Sequence, residues 1–283
     1  MDFQVPELTP IAYFRALVES DAQLPLLEAV ASLAQDEYPE FDVEPVLEAV
    51  DQLQERLKRR IPPEADELQQ LRLLNQFFYQ ELGFAGNVND YYDPDNSFLH
   101  VVLRTRRGIP VSLSVLWLEL AQGLGLNVRG VGFPGHFLVK AHLAKGQVVM
   151  DPLNGHSLSR EELAERLTPL KGAAGLAGDF EVPLGLYLQS CPSRDIVARM
   201  LRNLKEIYRS QADWRRLVKV QDRLIVLLPE AWNEYRDRGL AYAEQGRVAQ
   251  AVDDLETYLH HAAQELDVAV IAGRVAELRR TSS

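Results

Sequence analysis

The sequence holds a single cysteine, Cys191, in 283 residues. An internal disulfide is therefore excluded, and a zinc site built on cysteine has too few ligands. Positive charge is also short: 30 Lys and Arg stand against 41 Asp and Glu, for a formal net charge of −11. That balance opposes a phosphate backbone, which basic proteins capture by displacing counterions, so nucleic acid is not an expected partner. Two local basic triplets, Lys58–Arg59–Arg60 and Arg104, Arg106, Arg107, read as solvated helix ends. No apolar run approaches the roughly 18–20 residues of a membrane span. The opening MDFQVPELTP has neither the basic start nor the apolar core of an export signal. The expectation is a cytoplasmic protein without a membrane partner.

What is present is globular in composition, 47% apolar and 25% charged. Apolar residues recur at three- and four-residue spacing in LPLLEAVASLAQ, VEPVLEAVDQLQERL and LQQLRLLNQFFYQELGF, which predicts helices over most of the chain before Gly83. Prolines at 25, 39, 45, 62 and 63 punctuate them. GIPVSLSVLWLELAQGLG is apolar almost all round, the mark of a buried helix. Pro110 suits its first position, and Gly123 and Gly125 suit its end. Three strand-like runs follow, NVRGVGF, HFLVKAHL and QVVMDPL, then SLSREELAERL with a capping box of Ser159 and Glu162. A buried helix leading into an antiparallel meander predicts an α+β core. A glycine-rich loop is expected at 172–178, and the stretch around Cys191 and Pro192 reads as a linker.

From Asp195 onward the pattern is helical, and a period of about 34 residues appears, the tetratricopeptide length. It relates Tyr208 to Tyr242, Trp214 to Val248, Leu217 to Ala251 and Val218 to Val252. Gly239, Tyr242 and Ala251 fall at tetratricopeptide-like spacing, and Pro229 closes the first copy. Lys205 stands where the second copy has Gly239, and Ala263 where a closing proline is expected. The expected organisation is a core over residues 1–188, with helical repeats over 195–283.

Three elements carry candidate chemistry: RGIPVSLS at 107–114, PGHFLV at 134–139 and MDPLNG at 150–155. A helix, a strand bearing His136 and a strand ending in Asp151 follow the chain order of a papain-type site. A nucleophile there needs a base, and the base needs a third group to fix its tautomer. Taken with NVNDYYDPDNSFL and the repeat-like tail, these segments resemble the bacterial SirB family, over most of residues 70–265. The resemblance implies a transglutaminase-like core with a tetratricopeptide-like tail. It also implies His136 as the base, Asp151 as its orienting carboxylate, Ser114 at the motif's alanine position and Pro110 where the cysteine nucleophile belongs. Proline supplies neither a thiol nor the backbone N–H that would face a developing oxyanion.

Three readings stay open. In the first the fold is catalytically silent and binds or regulates an unidentified protein or peptide. It would use a cleft around Pro110, Asn96 and His136 and a repeat surface bearing Tyr208, Trp214, Trp232 and Tyr235. In the second, Ser112 or Ser114 is the nucleophile of a peptide or amide hydrolase or acyl transferase, although early helix serines ordinarily bond backbone groups. In the third, the chain is a plain helical adaptor. Asn96, heading DNSFLHVVL, also reads as an N-cap. Cys191 reads as a small buried hydrophobe. His100, His142 and His156 lack metal spacing, His260 and His261 point apart on a helix, and the Asp93–Ser97 stretch lacks the glycine and glutamate of a calcium loop. Neither metal nor cofactor is expected.

Overall fold

The structure, a computed structural model, describes residues 9–38, 40–173, 183–262 and 265–281. Pro39, most of the expected glycine-rich loop and Ala263 lie outside the described residues. In chain order the helices and strands begin with α1 (Pro10–Leu17), α2 (Leu26–Ala31), α3 (Glu44–Lys58) and α4 (Glu67–Asn75). Next come β1 (Ala85–Gly86), α5 (Leu99–Thr105), β2 (Arg107–Gly108) and α6 (Pro110–Gly123). The strands β3 (Asn127–Val131), β4 (Leu138–Leu143), β5 (Gly146–Asp151) and β6 (His156–Ser157) precede α7 (Arg160–Ala173) and the short α8 (Leu184–Tyr187). Among the described residues five helices follow: α9 (Ser193–Ser210), α10 (Trp214–Leu227), α11 (Trp232–Glu244), α12 (Val248–His261) and α13 (Val268–Thr281). The result is α+β. Among the described residues no helix is long and apolar enough to cross a membrane.

Two compact units divide the chain. One comprises Pro25–Ala34 and Phe41–Val197. Its centre is α6, in which Leu113, Trp117 and Ala121 are fully buried, as the all-round apolar pattern requires. The meander β3–β4–β5 forms as expected and gains a fourth, very short strand, β6. Register pairs Val131 with Leu138 across β3 and β4, and Val139 with Met150 across β4 and β5. Strand β4 is buried at four successive positions, Leu138 to Ala141, because both faces are covered. α6 packs against β3 and β4. Leu163 and Leu167 of α7, with Leu158 and Leu188, pack on Val131, Leu138 and Val149. Lys140 reaches through this layer to donate to the Leu188 carbonyl at 2.6 Å, which meets the need of a buried ammonium.

Two local readings differ from the structure. The segment LQQLRLLNQFFYQELGF is not one uniform α-helix: α4 widens into a π-helix at Gln76–Glu81, where the Leu82 N–H reaches back past the usual partner to the Phe77 carbonyl. Phe77 and Phe78 are both fully buried there. Cys191 does not sit in a free linker. Its N–H donates to the Gly130 carbonyl at 2.8 Å, forming an antiparallel bridge onto β3.

The other unit comprises Met1–Leu24, Gln35–Glu40 and Ala198–Ser283. Its repeat is visible in backbone bonds. The Asp213 N–H donates to the Tyr208 carbonyl at 2.9 Å, and at the matching place in the second copy the Arg247 N–H donates to Tyr242 at 2.9 Å. Each turn needs a left-handed residue, Ala212 at φ 53° and Gly246 at φ 71°. Gly239 lets α11 approach α12, since a Cβ there would lie 2.8 Å from Leu255 Cγ. At the matching position Lys205 is buried and bonds Asp237 at 2.6 Å as well as Glu234, so a charged pairing replaces the close approach. From the N-terminal side, Phe14 is fully buried with the Arg223 guanidinium 4.8 Å from its ring centre.

The pair of turns yields a prediction. A non-glycine residue in the left-handed region costs about 1–2 kcal/mol, partly offset by the chain entropy glycine loses on folding. Ala212→Gly is expected to raise stability by about 0.5–1 kcal/mol in urea unfolding. No gain would mean that Ala212 does not hold a positive φ.

Candidate functional site

His136 stands on the turn entering β4 and not on the strand itself. Gly135 takes φ 70°, and the His136 N–H closes the turn onto the Phe133 carbonyl at 3.0 Å, so strand pairing starts only at Leu138. Flanking Phe133 and Phe137 are buried and anchor both ends of the turn. Asp151 is the last residue of β5, and the Val139–Met150 pairing brings that strand end beside the entry to β4. His136 Nε2 and Asp151 Oδ1 lie 3.0 Å apart, with the histidine side chain 19% exposed and the aspartate 6%.

Among the described residues the carboxylate has three partners. Oδ1 also accepts the Leu153 N–H at 3.1 Å, and Oδ2 accepts Arg166 Nη1 at 3.0 Å. Arg166 comes from α7, whose start is fixed by the reciprocal bonds of Ser159 and Glu162 at 2.7 and 3.2 Å, the expected capping box. Burial by itself would push the Asp151 carboxyl up. The bond to His136 and its charge, then the Leu153 N–H and Arg166, outweigh burial and hold it at about 2. An ionised Asp151 is an acceptor only, so the bond is made by a proton on Nε2, the tautomer that leaves the Nδ1 lone pair a base requires. Tyr79 walls the same region: its O–H donates to the Pro152 carbonyl at 3.2 Å. Burial, then the charge of Asp151, raise its phenol above the ordinary value. Gly155 at φ 74° leaves room for that ring, since a Cβ would meet Tyr79 Cε2 at 2.4 Å.

The helix that would carry a nucleophile presents none at its tip. Pro110 occupies the first position of α6 and is buried. Ser112 Oγ accepts the Ile109 N–H at 3.1 Å and donates to the Asn96 carbonyl at 2.7 Å. Ser114 Oγ donates to the Pro110 carbonyl at 2.7 Å. Both serines are fully buried, and among the described residues neither hydroxyl bonds His136.

The remaining candidates separate. Asn96 is not the N-cap of α5; it lies inside a 3₁₀ turn, Pro94–Ser97, that Asp93 caps. Its amide donates to the Asp90 carbonyl at 2.6 Å and accepts from Asn87 at 2.9 Å, which ties down the 87–91 loop. Tyr208 is only 3% exposed and so is not on the repeat surface. Trp214, Trp232 and Tyr235 are half-buried, with Trp232 stacked on His261 at 3.7 Å between ring centres. Among the described residues no group of three His, Cys, Asp or Glu is placed to hold a metal.

Residues 44–202 match the transglutaminase-like superfamily, and residues 204–276 match a tetratricopeptide repeat family. The chain belongs to the transglutaminase-like superfamily. Among curated relatives, a "UPF0162 protein" of Xylella fastidiosa (strain Temecula1) is 38% identical over 263 residues, covering 91% of each chain. One from Vibrio cholerae serotype O1 is 29% identical over 220 residues, covering 77% of this chain and 79% of its own. The crystal structure of menin matches over 89% of this chain and 69% of that one, at 12% identity and TM-score 0.42, a likeness too distant to carry an inference.

In this transglutaminase-like protein His136 pairs with Asp151, and proline heads α6, the helix that follows β2. Two groups of the site were not legible in the sequence. Arg166 lies on a separate helix well along the chain from Asp151, and its only signal is the capping box that sets where that helix begins. Tyr79 offers none, since it lies 73 positions before the Pro152 carbonyl it bonds.

Proposed function

We propose that this protein is a catalytically silent member of its superfamily that binds a protein or peptide in the bacterial cytoplasm. The likeness to the SirB family belongs to the same reading. Binding uses the surface around His136 and the exposed parts of the repeats, a module type whose chemistry is protein recognition. The observation that carries the reading is Pro110 at the first position of α6. Proline withholds the N–H that would face an oxyanion, a donor worth ~10²–10³ in rate. Loss of a nucleophile costs on the order of 10⁶. The net charge of −11 favours basic or neutral peptide segments over nucleic acid. In peptidase, esterase and amide-transfer assays, the protein and its His136→Ala variant are expected to be indistinguishable from buffer. Turnover that disappears with His136 would overturn the reading.

One observation favours a second reading, a Ser-His-Asp hydrolase or acyl transferase. Asp151, held ionised, fixes a histidine tautomer suited to a base. That reading needs Ser112 or Ser114 to release its backbone carbonyl and come within hydrogen-bond reach of the imidazole. It predicts labelling by a fluorophosphonate that is lost in Ser112→Ala or Ser114→Ala. An unlabelled protein removes it.

A further inference from the structure

A cavity of about 390 Å³ opens between α3 and α5, on residues that take no part in the His136–Asp151 arrangement. Its lining combines the apolar Val46, Ala49, Leu53 and Leu103 with Arg56, Arg104, Arg106 and His100. Its size is at the lower end of small-molecule sites, which run from roughly 300 to 1,000 Å³.

The arginines lack counter-charges in a protein with a surplus of them. Acidic residues outnumber basic ones, 41 to 30, yet among the described residues none of the three guanidinium groups forms an ion pair. Their neighbours Lys58 and Arg60 do, with Glu55 and Glu81. The one acid lining the cavity, Asp42, directs Oδ1 to the Glu44 N–H at 3.1 Å. Ring contacts hold the planes of two guanidinium groups but leave N–H donors over. Arg106 Cζ lies 4.6 Å from the centre of Phe84 and Arg56 Cζ 5.6 Å from that of Phe77. Arg106 Nη1 is sealed from solvent with no acceptor, so the remaining N–H groups of that guanidinium are the ones left to meet a ligand.

The backbone adds an independent sign. Arg106 ends α5 in the left-handed region, φ 60° and ψ 23°, where glycine is the usual residue. A side chain is kept at a position that strains it, and strain of this kind concentrates at ligand sites. Burial, then the nearby charge of Arg56, lower the Arg106 guanidinium from its usual value, so two mutually repelling cations line one cavity.

We propose that this cavity binds a small amphipathic anion, with a phosphate or carboxylate head on the arginines and an apolar body on the aliphatic lining. The planar fork of arginine matches both heads. The proposal is independent of whether the His136 site is silent. Binding of octyl phosphate, decanoate and inorganic phosphate to the full chain, followed by calorimetry below micellar concentrations, tests it. Octyl phosphate or decanoate is expected to bind saturably with Kd below about 1 mM, and the better of the two identifies the head. Arg56→Gln and Arg106→Gln are each expected to weaken binding at least about tenfold. Arg106→Gly guards against misfolding, because glycine suits the backbone there; it is expected to fold at least as stably and still to lose binding. Inorganic phosphate binding as tightly as octyl phosphate would overturn the amphipathic assignment. No saturable binding of either amphiphile, or binding unchanged in Arg106→Gly, would overturn the site.

Discussion

Asp151→Asn is expected to cost about 2 kcal/mol at neutral pH and to flatten the acid limb of the stability curve. The carboxyl falls from 3.8 to about 2 on folding, and its side chain is only 6% exposed, so the difference is little screened by water. The sign follows from the direction. A folded value below the unfolded one adds stability that is fully present above the unfolded value. That stability drains away as pH falls from about 4 to about 2. Asparagine keeps the shape and accepts the Leu153 N–H, but it cannot hold Arg166 or an imidazolium by charge. Urea unfolding of both proteins between pH 7 and pH 2 should therefore show two curves that converge in acid. A gap that stays constant over that range would mean that the carboxylate does not carry the charge of this cluster. The result is independent of catalysis, since it measures the scaffold that orients His136.

Trp117→Ala carries the largest expected loss, about 3–5 kcal/mol, the range for truncating a fully buried large aromatic. Trp117 has no exposed surface, and its indole N–H donates to Asn75 Oδ1 at 2.9 Å. Asn75 in turn places its amide 3.2 Å from Sδ of Met150, the neighbour of Asp151. Removing the indole leaves a cavity in the middle of α6 and an amide oxygen without a donor, two costs that add. Trp117→Phe separates them. It retains most of the volume and loses only the donor, so about 1–2 kcal/mol is expected. Denaturant midpoints followed by far-UV circular dichroism check both values. A loss below about 1 kcal/mol for the alanine variant would contradict the central role given to α6.

The helix α6 was legible because its sequence is apolar on every side, with proline at one end and two glycines at the other, and each of those signals is local. The capping box at Ser159 was readable for the same reason. What escaped depends on residues distant in sequence. The π-turn after Asn75 has no composition of its own; it follows from Phe77 and Phe78 both turning inward. Cys191 looks like linker until the free edge of β3 is available to pair with it. Apolar Phe137 and Leu138 make His136 read as part of a strand, while the left-handed Gly135 delays pairing. Arg104 and Arg106 read as ordinary solvated helix ends, and only the packing of α3 beside them makes a shared space with Arg56.

The wide turn at Gln76–Glu81 also bears on how relatives of this chain should be superimposed. An extra residue within a helix rotates everything after it by about 100° while adding little length. Tyr79, bonded to the Pro152 carbonyl, lies inside that widened stretch. A homologue with the same helix in regular form would bring a different neighbour to that wall, so residues matched one-for-one through this stretch would not be equivalent in space.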